Sequence, residues 1–105
     1  MKHYRIKIMP SARAGLLEIG QYIALDNPAR AITFIDEIIQ SIEKTLSIFP
    51  NSGKVVDDLE LDEQIRVWPY ENYNSYYLVK EAQQIVEILF VFNASRNIKN
   101  LIANL

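Results

Sequence analysis

The sequence predicts a two-layer α+β fold, ordered β-α-α-β-β-β, with a helix hairpin packed on a mostly antiparallel four-stranded sheet. Three observations carry this. Apolar residues alternate at the start of the chain, recur at intervals of three and four through residues 12–49, and return to short β-branched and aromatic runs after residue 64. A short link joins the two helical stretches, which makes them antiparallel neighbours. Short links also join the last three runs, which makes them an antiparallel meander.

Each element has its own warrant. In "HYRIKIM" (3–9), Tyr4, Ile6 and Ile8 face one way and His3, Arg5 and Lys7 the other, the period of a half-buried strand. Pro10 and Ser11 punctuate the chain, and Ala12, Leu16, Ile19 and Ile23 then mark one helical face. Gly20 costs that helix about 1 kcal/mol against alanine and suits close approach of the next helix. Asn27 is a good N-cap and Pro28 fits a first helical turn, so a second helix starts there and runs to about Ile48. Its stripe is Ile32, Ile35, Ile39, Ile42, Leu46 and Phe49, widened by Phe34 and Ile38, and "FPNSG" stops it.

Three runs read as strands. "QIRVWPY" (64–70) carries Pro69, which suggests an edge or an end. "NSYYLVK" (74–80) follows. "QIVEILFVF" (84–92) is the most apolar, so it belongs in the middle of the sheet with both faces covered. Ile98, Leu101, Ile102 and Leu105 fall at near-helical spacing, as a short helix or a tail awaiting a partner.

Composition narrows the function. A chain of 105 residues is expected to be a single domain, 1–105. With no cysteine, disulfides and the usual structural zinc sites are excluded. The lone His3 is far from the carboxylates, so no metal and no cofactor are expected. No apolar run has membrane-spanning length, and a cytoplasmic protein is the expectation. A net charge of −2 speaks against a generic nucleic-acid binder. Five carboxylates, Asp57, Asp58, Glu60, Asp62 and Glu63, crowd residues 57–63. They suit a solvated loop, or a contact for a basic partner segment.

The order and wording of these elements resemble the RelE/ParE superfamily of bacterial toxins, closer to its ParE-like branch. The likeness is carried by the helix hairpin "YIALDNPARAITFIDEIIQSIEKTLSIFPNSG", by Arg66 on the strand after it, by the tyrosine-rich "YYLVK", and by the closing "ILFVFNASRN". The resemblance implies a toxin of a type II toxin–antitoxin system, held inactive in a hetero-oligomer by an antitoxin from the adjacent gene. For the ParE-like branch it implies inhibition of DNA gyrase by protein–protein binding. The alternatives are a metal-independent endoribonuclease cutting mRNA on the ribosome, and a non-toxic binding module derived from the family.

The nuclease alternative needs a base, an acid and cations around an attacking 2′-hydroxyl. Here they would be Lys54, Arg66, Lys80 and Arg96, with Tyr76 or Tyr77. Lys80 falls at a common basic position of the family if the next turn is not lengthened; a longer turn puts Leu78 there. The chain departs from the pattern twice, with Asn93 where relatives have histidine and Phe90 where many have arginine. Asn93 cannot titrate, so the chain leans away from enzymatic activity. The tyrosines fit ordinary sheet packing, and His3 a solvated position.

For partner binding, the expected groove lies between the helix pair and the sheet, walled by Phe34, Ile38, Gly15 and Gly20. The 64–70 strand is the expected edge, with Arg66, Trp68 and Arg96 at the rim.

Overall fold

The computed structural model describes residues 3–57, 59 and 61–103. The elements are β1 (Arg5–Ile8), α1 (Pro10–Ala24), α2 (Pro28–Leu46), β2 (Lys54–Val55), β3 (Arg66–Tyr70), β4 (Tyr73–Lys80), β5 (Ile85–Asn93) and α3 (Ile98–Ala103). A 3-10 turn at Pro50–Ser52 lies between α2 and β2. The predicted order holds, with one strand more than expected. The sheet runs β1-β5-β4-β3-β2; β1 pairs with β5 in parallel, and the other pairings are antiparallel.

The added strand, β2, is only two residues long. Lys54 pairs with Val67 and Val55 with Arg66, so β2 covers the start of β3 and leaves Trp68–Tyr70 at the open edge. Pro69 falls on that uncovered stretch, where a missing N–H interrupts no ladder. The expected 64–70 edge is therefore open over its second half only.

Local chemistry explains the helix boundaries. Pro10 and Pro28 occupy first-turn positions, where the absent N–H is not needed. The Asn27 side chain accepts the Arg30 amide at 3.1 Å, capping α2. Lys44 lies in the last turn of α2, where the helix dipole favours a cation.

The core between the layers is built from Ala12, Leu16 and Ile19 of α1, Phe34, Ile38, Ile42 and Leu46 of α2, and Tyr77, Val86, Ile88 and Val91 of the sheet. The α1 face is the predicted one. The α2 face is rotated from the isoleucine stripe: Ile42 and Leu46 are buried, but Ile32 is 75% exposed and Phe49 61% exposed. Phe34 and Ile38 take the centre instead, because Phe34 packs against Tyr70 and Tyr73, at 5.8 and 5.5 Å between ring centroids.

β5 is an interior strand between β1 and β4, although the middle place in the sheet goes to β4, and it carries a bulge. Tyr76 pairs with Phe90 and Tyr77 with Ile88, which leaves Leu89 as the extra residue. The bulge lets Ile88 and Val91 both face the helices while Leu89 and Phe90 both join a second apolar cluster on the other side. That outer cluster buries Ile65, Tyr76, Leu78 and Phe90, with Ile98 and Ile102 of α3 packed against it. The C-terminal periodicity is thus a short helix covering the outer sheet face; Leu105 lies outside the described residues. Among the described residues, no helix is long and apolar enough to cross a membrane.

The two glycines of α1 play different parts. A methyl group on Gly20 would meet only the Ile35 side chain, at 3.6 and 3.9 Å, which is ordinary contact. Gly20→Ala is therefore expected to raise unfolding free energy by about 0.5–1 kcal/mol, the usual helix-interior gain. Urea denaturation with an unchanged slope checks it. Gly15 sits against the β5 backbone and is argued below.

Candidate functional site

The sheet pleat separates the candidate nuclease residues. Arg66 pairs with Tyr77 and shares parity with Trp68 and Tyr70, all three of which pack on the helix side. Tyr76 belongs to the outer cluster, Lys54 pairs with outward-facing Val67, and Lys80 shares the parity of outward-facing Leu78. By pleat parity Arg66 projects from the face opposite Lys54, Tyr76 and Lys80, and at the end of the sheet it also lines a polar cleft with Leu78 and with Glu63, the partner of Lys80.

These groups also have structural employment. Arg66 donates to the carbonyls of Gly53 at 2.8 Å and Asn51 at 3.2 Å. Lys80 pairs with Glu63, which holds its ammonium above the usual lysine range. Arg96 lies over the Phe92 ring, 4.9 Å from its centroid, and Phe92 stacks on Phe90 at 5.5 Å. Phe90 thus fills its position with apolar packing. Tyr76 is buried, and its hydroxyl receives only a long 3.4 Å contact from the Asn74 amide. Lys54 is exposed. Tyr77 is wholly buried; its hydroxyl accepts the Gly53 amide at 2.8 Å and donates to the Pro50 carbonyl at 2.7 Å. Asn93 uses its side chain locally, accepting the Ser95 amide at 2.9 Å. His3 is exposed, as expected.

Of the acidic run, Asp58 and Glu60 lie outside the described residues. Glu63 pairs with Lys80 at the surface, so the run is partly matched from within the chain. Among the described residues no group of three or more histidine and carboxylate side chains is placed to hold a metal ion.

The partner-binding candidates are distributed differently from expectation. Phe34 and Ile38 lie in the core, 7% and 1% exposed, and the space between helices and sheet is filled. Gly15 sits too close to the Val91 carbonyl to wall a groove. Trp68 is half-buried, its indole N–H bonded to the Ser41 hydroxyl at 3.0 Å. Of the four predicted wall residues, Gly20 opens onto a groove, and that groove runs between α1 and α2; Arg66 lines a separate polar cleft with Asn51, Glu63, Gln64 and Glu81. The α1–α2 groove measures about 450 Å³, with Gly20, Ala24 and Ala31 among its lining and Leu17, Ile32 and Ile35 beside them. Leu17 and Ile32 are 63% and 75% exposed. Leu17 lies off the predicted stripe of α1, whereas Ile32 falls on the predicted stripe of α2 and is exposed because the buried face of that helix is rotated; together they border one apolar groove.

One further cluster ties the hairpin to the sheet. Arg30 bonds both carboxylate oxygens of Glu37, at 2.5 and 3.2 Å, and lies 5.1 Å from the Phe34 ring centroid. The Tyr70 hydroxyl donates to Glu37 at 2.8 Å. The Arg30 guanidinium first, then the Tyr70 hydroxyl, hold the Glu37 carboxyl below its ordinary value of 4.5. A depressed carboxylate contributes stability that is present above the unfolded value and lost as pH falls through the folded one. Glu37→Gln is expected to flatten the decline in stability below pH 4.5, measured by denaturation across an acid series.

The comparisons with known proteins agree with this architecture. No curated protein matches the chain. Among solved structures, a chain of the chromosomal ParDE system from P. aeruginosa superimposes with a TM-score of 0.70 at 22% identity, over 89% of this chain and 98% of that one. A chain of the RelBE2 toxin–antitoxin complex from Mycobacterium tuberculosis gives 0.66 at 20% identity, over 90% and 97%. A chain of the archaeal RelE–RelB complex from Pyrococcus horikoshii OT3 gives 0.54 at 17% identity, over 90% and 99%. These identities establish a shared fold. The sequence itself matches, over residues 6–98, the family described as the ParE toxin of the type II toxin–antitoxin system parDE. That match spans most of the chain, which therefore belongs to the ParE toxin family.

Proposed function

We propose that this chain is the toxin of a type II toxin–antitoxin pair and acts by binding DNA gyrase, with a cognate antitoxin holding it inactive. The observation that carries this reading is the split of the cations. Arg66 is on one face of the sheet and engaged with backbone carbonyls, while Lys80 and Arg96 are paired or stacked around an apolar outer cluster. A phosphodiester transition state needs cations and a proton acceptor converging within hydrogen-bond reach. A protein target needs only a shaped surface, which the hairpin supplies.

The antitoxin occupies the α1–α2 groove with one amphipathic helix. The groove is apolar, bordered by exposed Leu17 and Ile32 and lined by small residues that let a helix approach closely. Leu17→Glu with Ile32→Glu leaves the core intact and abolishes co-purification with the product of the neighbouring gene.

The gyrase reading is tested by expressing the chain alone and beside that gene, then adding purified protein to a gyrase supercoiling assay. Growth arrest with broken DNA, relieved by co-expression, and inhibited supercoiling are the expected results. Transcripts cut within translated codons would overturn it in favour of ribosomal cleavage, and the absence of arrest would point to a module that only binds its partner.

A further inference from the structure

We infer that the outer face of the sheet carries a second recognition site, an apolar pocket with an acidic rim. It holds a segment of the target protein that presents an aromatic or leucine side chain beside a lysine or arginine. This rests on the gyrase reading for the source of that segment, and adds a contact on the side away from the hairpin.

The pocket exists because of the β5 bulge. Strict alternation would send only one of Leu89 and Phe90 outward; the bulge sends both. They form a floor with Leu78 of β4, and Ile102 of α3 stands at one side. The other side is the loop after β2, through Leu61, Asp62 and Glu63. That loop is held twice. The Val56 amide donates to the Ile65 carbonyl at 2.8 Å, closing its base, and Glu63 pairs with Lys80. The space between these walls is about 440 Å³, within the roughly 300–1,000 Å³ of ordinary ligand pockets. Leu61, at its lip, is 46% exposed. The sheet and the inner core separate this pocket from the α1–α2 groove.

The rim sets the chemistry of the occupant. The charged residues lining the pocket, Asp62 and Glu63, are both acids. Glu63 is matched by Lys80, whereas Asp62 has no ion pair among the described residues. Arg96 lies over the Phe92 ring and is not part of the lining. The sequence sharpens the asymmetry: no lysine or arginine occurs between Lys54 and Arg66, while five carboxylates fall within 57–63. A neutral apolar occupant fills the floor and leaves Asp62 unanswered; an acidic one meets like charge. An apolar side chain against Leu78, Leu89 and Phe90, with a lysine or arginine toward the loop, satisfies both parts. An apolar centre with a charged rim is also the anatomy of a protein interface, where one anchored side chain carries much of the affinity.

The test uses the full chain and two capped peptides, Gly-Phe-Arg-Gly and Gly-Phe-Glu-Gly, followed by methyl NMR at low salt with peptide up to millimolar concentration. The arginine peptide is expected to shift the Leu61, Leu78, Leu89 and Ile102 methyl signals. It binds about three- to fivefold tighter than the glutamate peptide, a preference that added salt removes. Asp62→Asn narrows that preference and Asp62→Lys reverses it; the position is exposed, so both variants fold. In the supercoiling assay Asp62→Lys raises the concentration for half-inhibition of gyrase at least about tenfold, because like charges then face each other. The proposal is overturned if neither peptide shifts these signals, if both bind equally, or if the shifts are confined to the α1–α2 groove. Undiminished gyrase inhibition by Asp62→Lys overturns it too, since the target is then held elsewhere. The peptide arm is read without gyrase. A wild-type chain that left supercoiling untouched while the arginine peptide still bound would sink the gyrase reading and keep the pocket.

Discussion

Gly15→Ala is expected to destabilise the protein by about 2 kcal/mol, although the same change at Gly20 stabilises it. Both positions are inside α1, and both gain about 1 kcal/mol of helix propensity. The difference is what lies beyond the missing methyl group. At Gly15 the carbon would be driven into the Val91 carbonyl, with the Val91 carbonyl carbon and amide nitrogen at 3.4 and 3.5 Å. These are backbone atoms of β5, an interior strand, which no rotamer change can move aside. Overpacking of this kind costs about 1–3 kcal/mol, and a contact with backbone belongs at the upper end. Helix α1 must lift from β5, loosening Ala12, Leu16 and Ile19 together.

The close approach also has a cause. β1 ends at Ile8 and so covers β5 only as far as Ile88; α1 closes over the rest of that edge. The Ser11 hydroxyl bonds the Leu89 carbonyl, and Gly15 lies on the Val91 carbonyl. Paired urea titrations of Gly15→Ala and Gly20→Ala, about 3 kcal/mol apart with opposite signs, check the packing. Equal midpoints would mean that α1 does not seat on β5 as described.

The layers were legible because they depend on period. Alternation gave β1, and spacings of three and four gave α1 at its correct face. The face of α2 was misplaced because isoleucine is common on both sides of that helix. What turns it is Phe34, held by Tyr70 and Tyr73 from another part of the chain. β2 was invisible, since two residues make no pattern and Lys54–Val55 is a strand only through its pairing with β3. The site was less legible than the fold. Whether Arg66 and Lys80 can act on one phosphate depends on the register of two strands, β3 and β4, and the bulge at Leu89 separately shifts parity inside the most apolar run. Lys80 could not be judged without Glu63, its partner from the acidic loop. The helix groove was missed because Leu17 falls outside the α1 stripe and Ile32 falls on the predicted buried stripe of α2, whose true face is rotated away from it.

The second large effect is expected at Tyr77, where removing one oxygen atom, Tyr77→Phe, should cost about 2–4 kcal/mol. The ring is wholly buried, so its packing survives the change. The hydroxyl is what closes the corner between α2 and the sheet, accepting from the Gly53 amide and donating to the Pro50 carbonyl. Burial, its largest influence, raises the phenol above its ordinary value of 10.0, so it remains a neutral donor through the physiological range. Without the oxygen, two buried backbone groups lose their partners, each at about 1–3 kcal/mol. Neither can easily turn to another. A methyl group on Gly53 would already stand 2.6 Å from the Val67 carbonyl, and Arg66 clamps the Gly53 and Asn51 carbonyls from the same side. The neighbouring Tyr76→Phe is the control. Its hydroxyl has only the 3.4 Å contact from Asn74, too long to contribute more than about 0.5 kcal/mol. If the two variants melt alike, the corner is not held by the Tyr77 hydroxyl. If Tyr77→Phe alone falls by several degrees and its 51–54 amides exchange faster, the Tyr77 hydroxyl holds the corner whose carbonyls Arg66 also bonds.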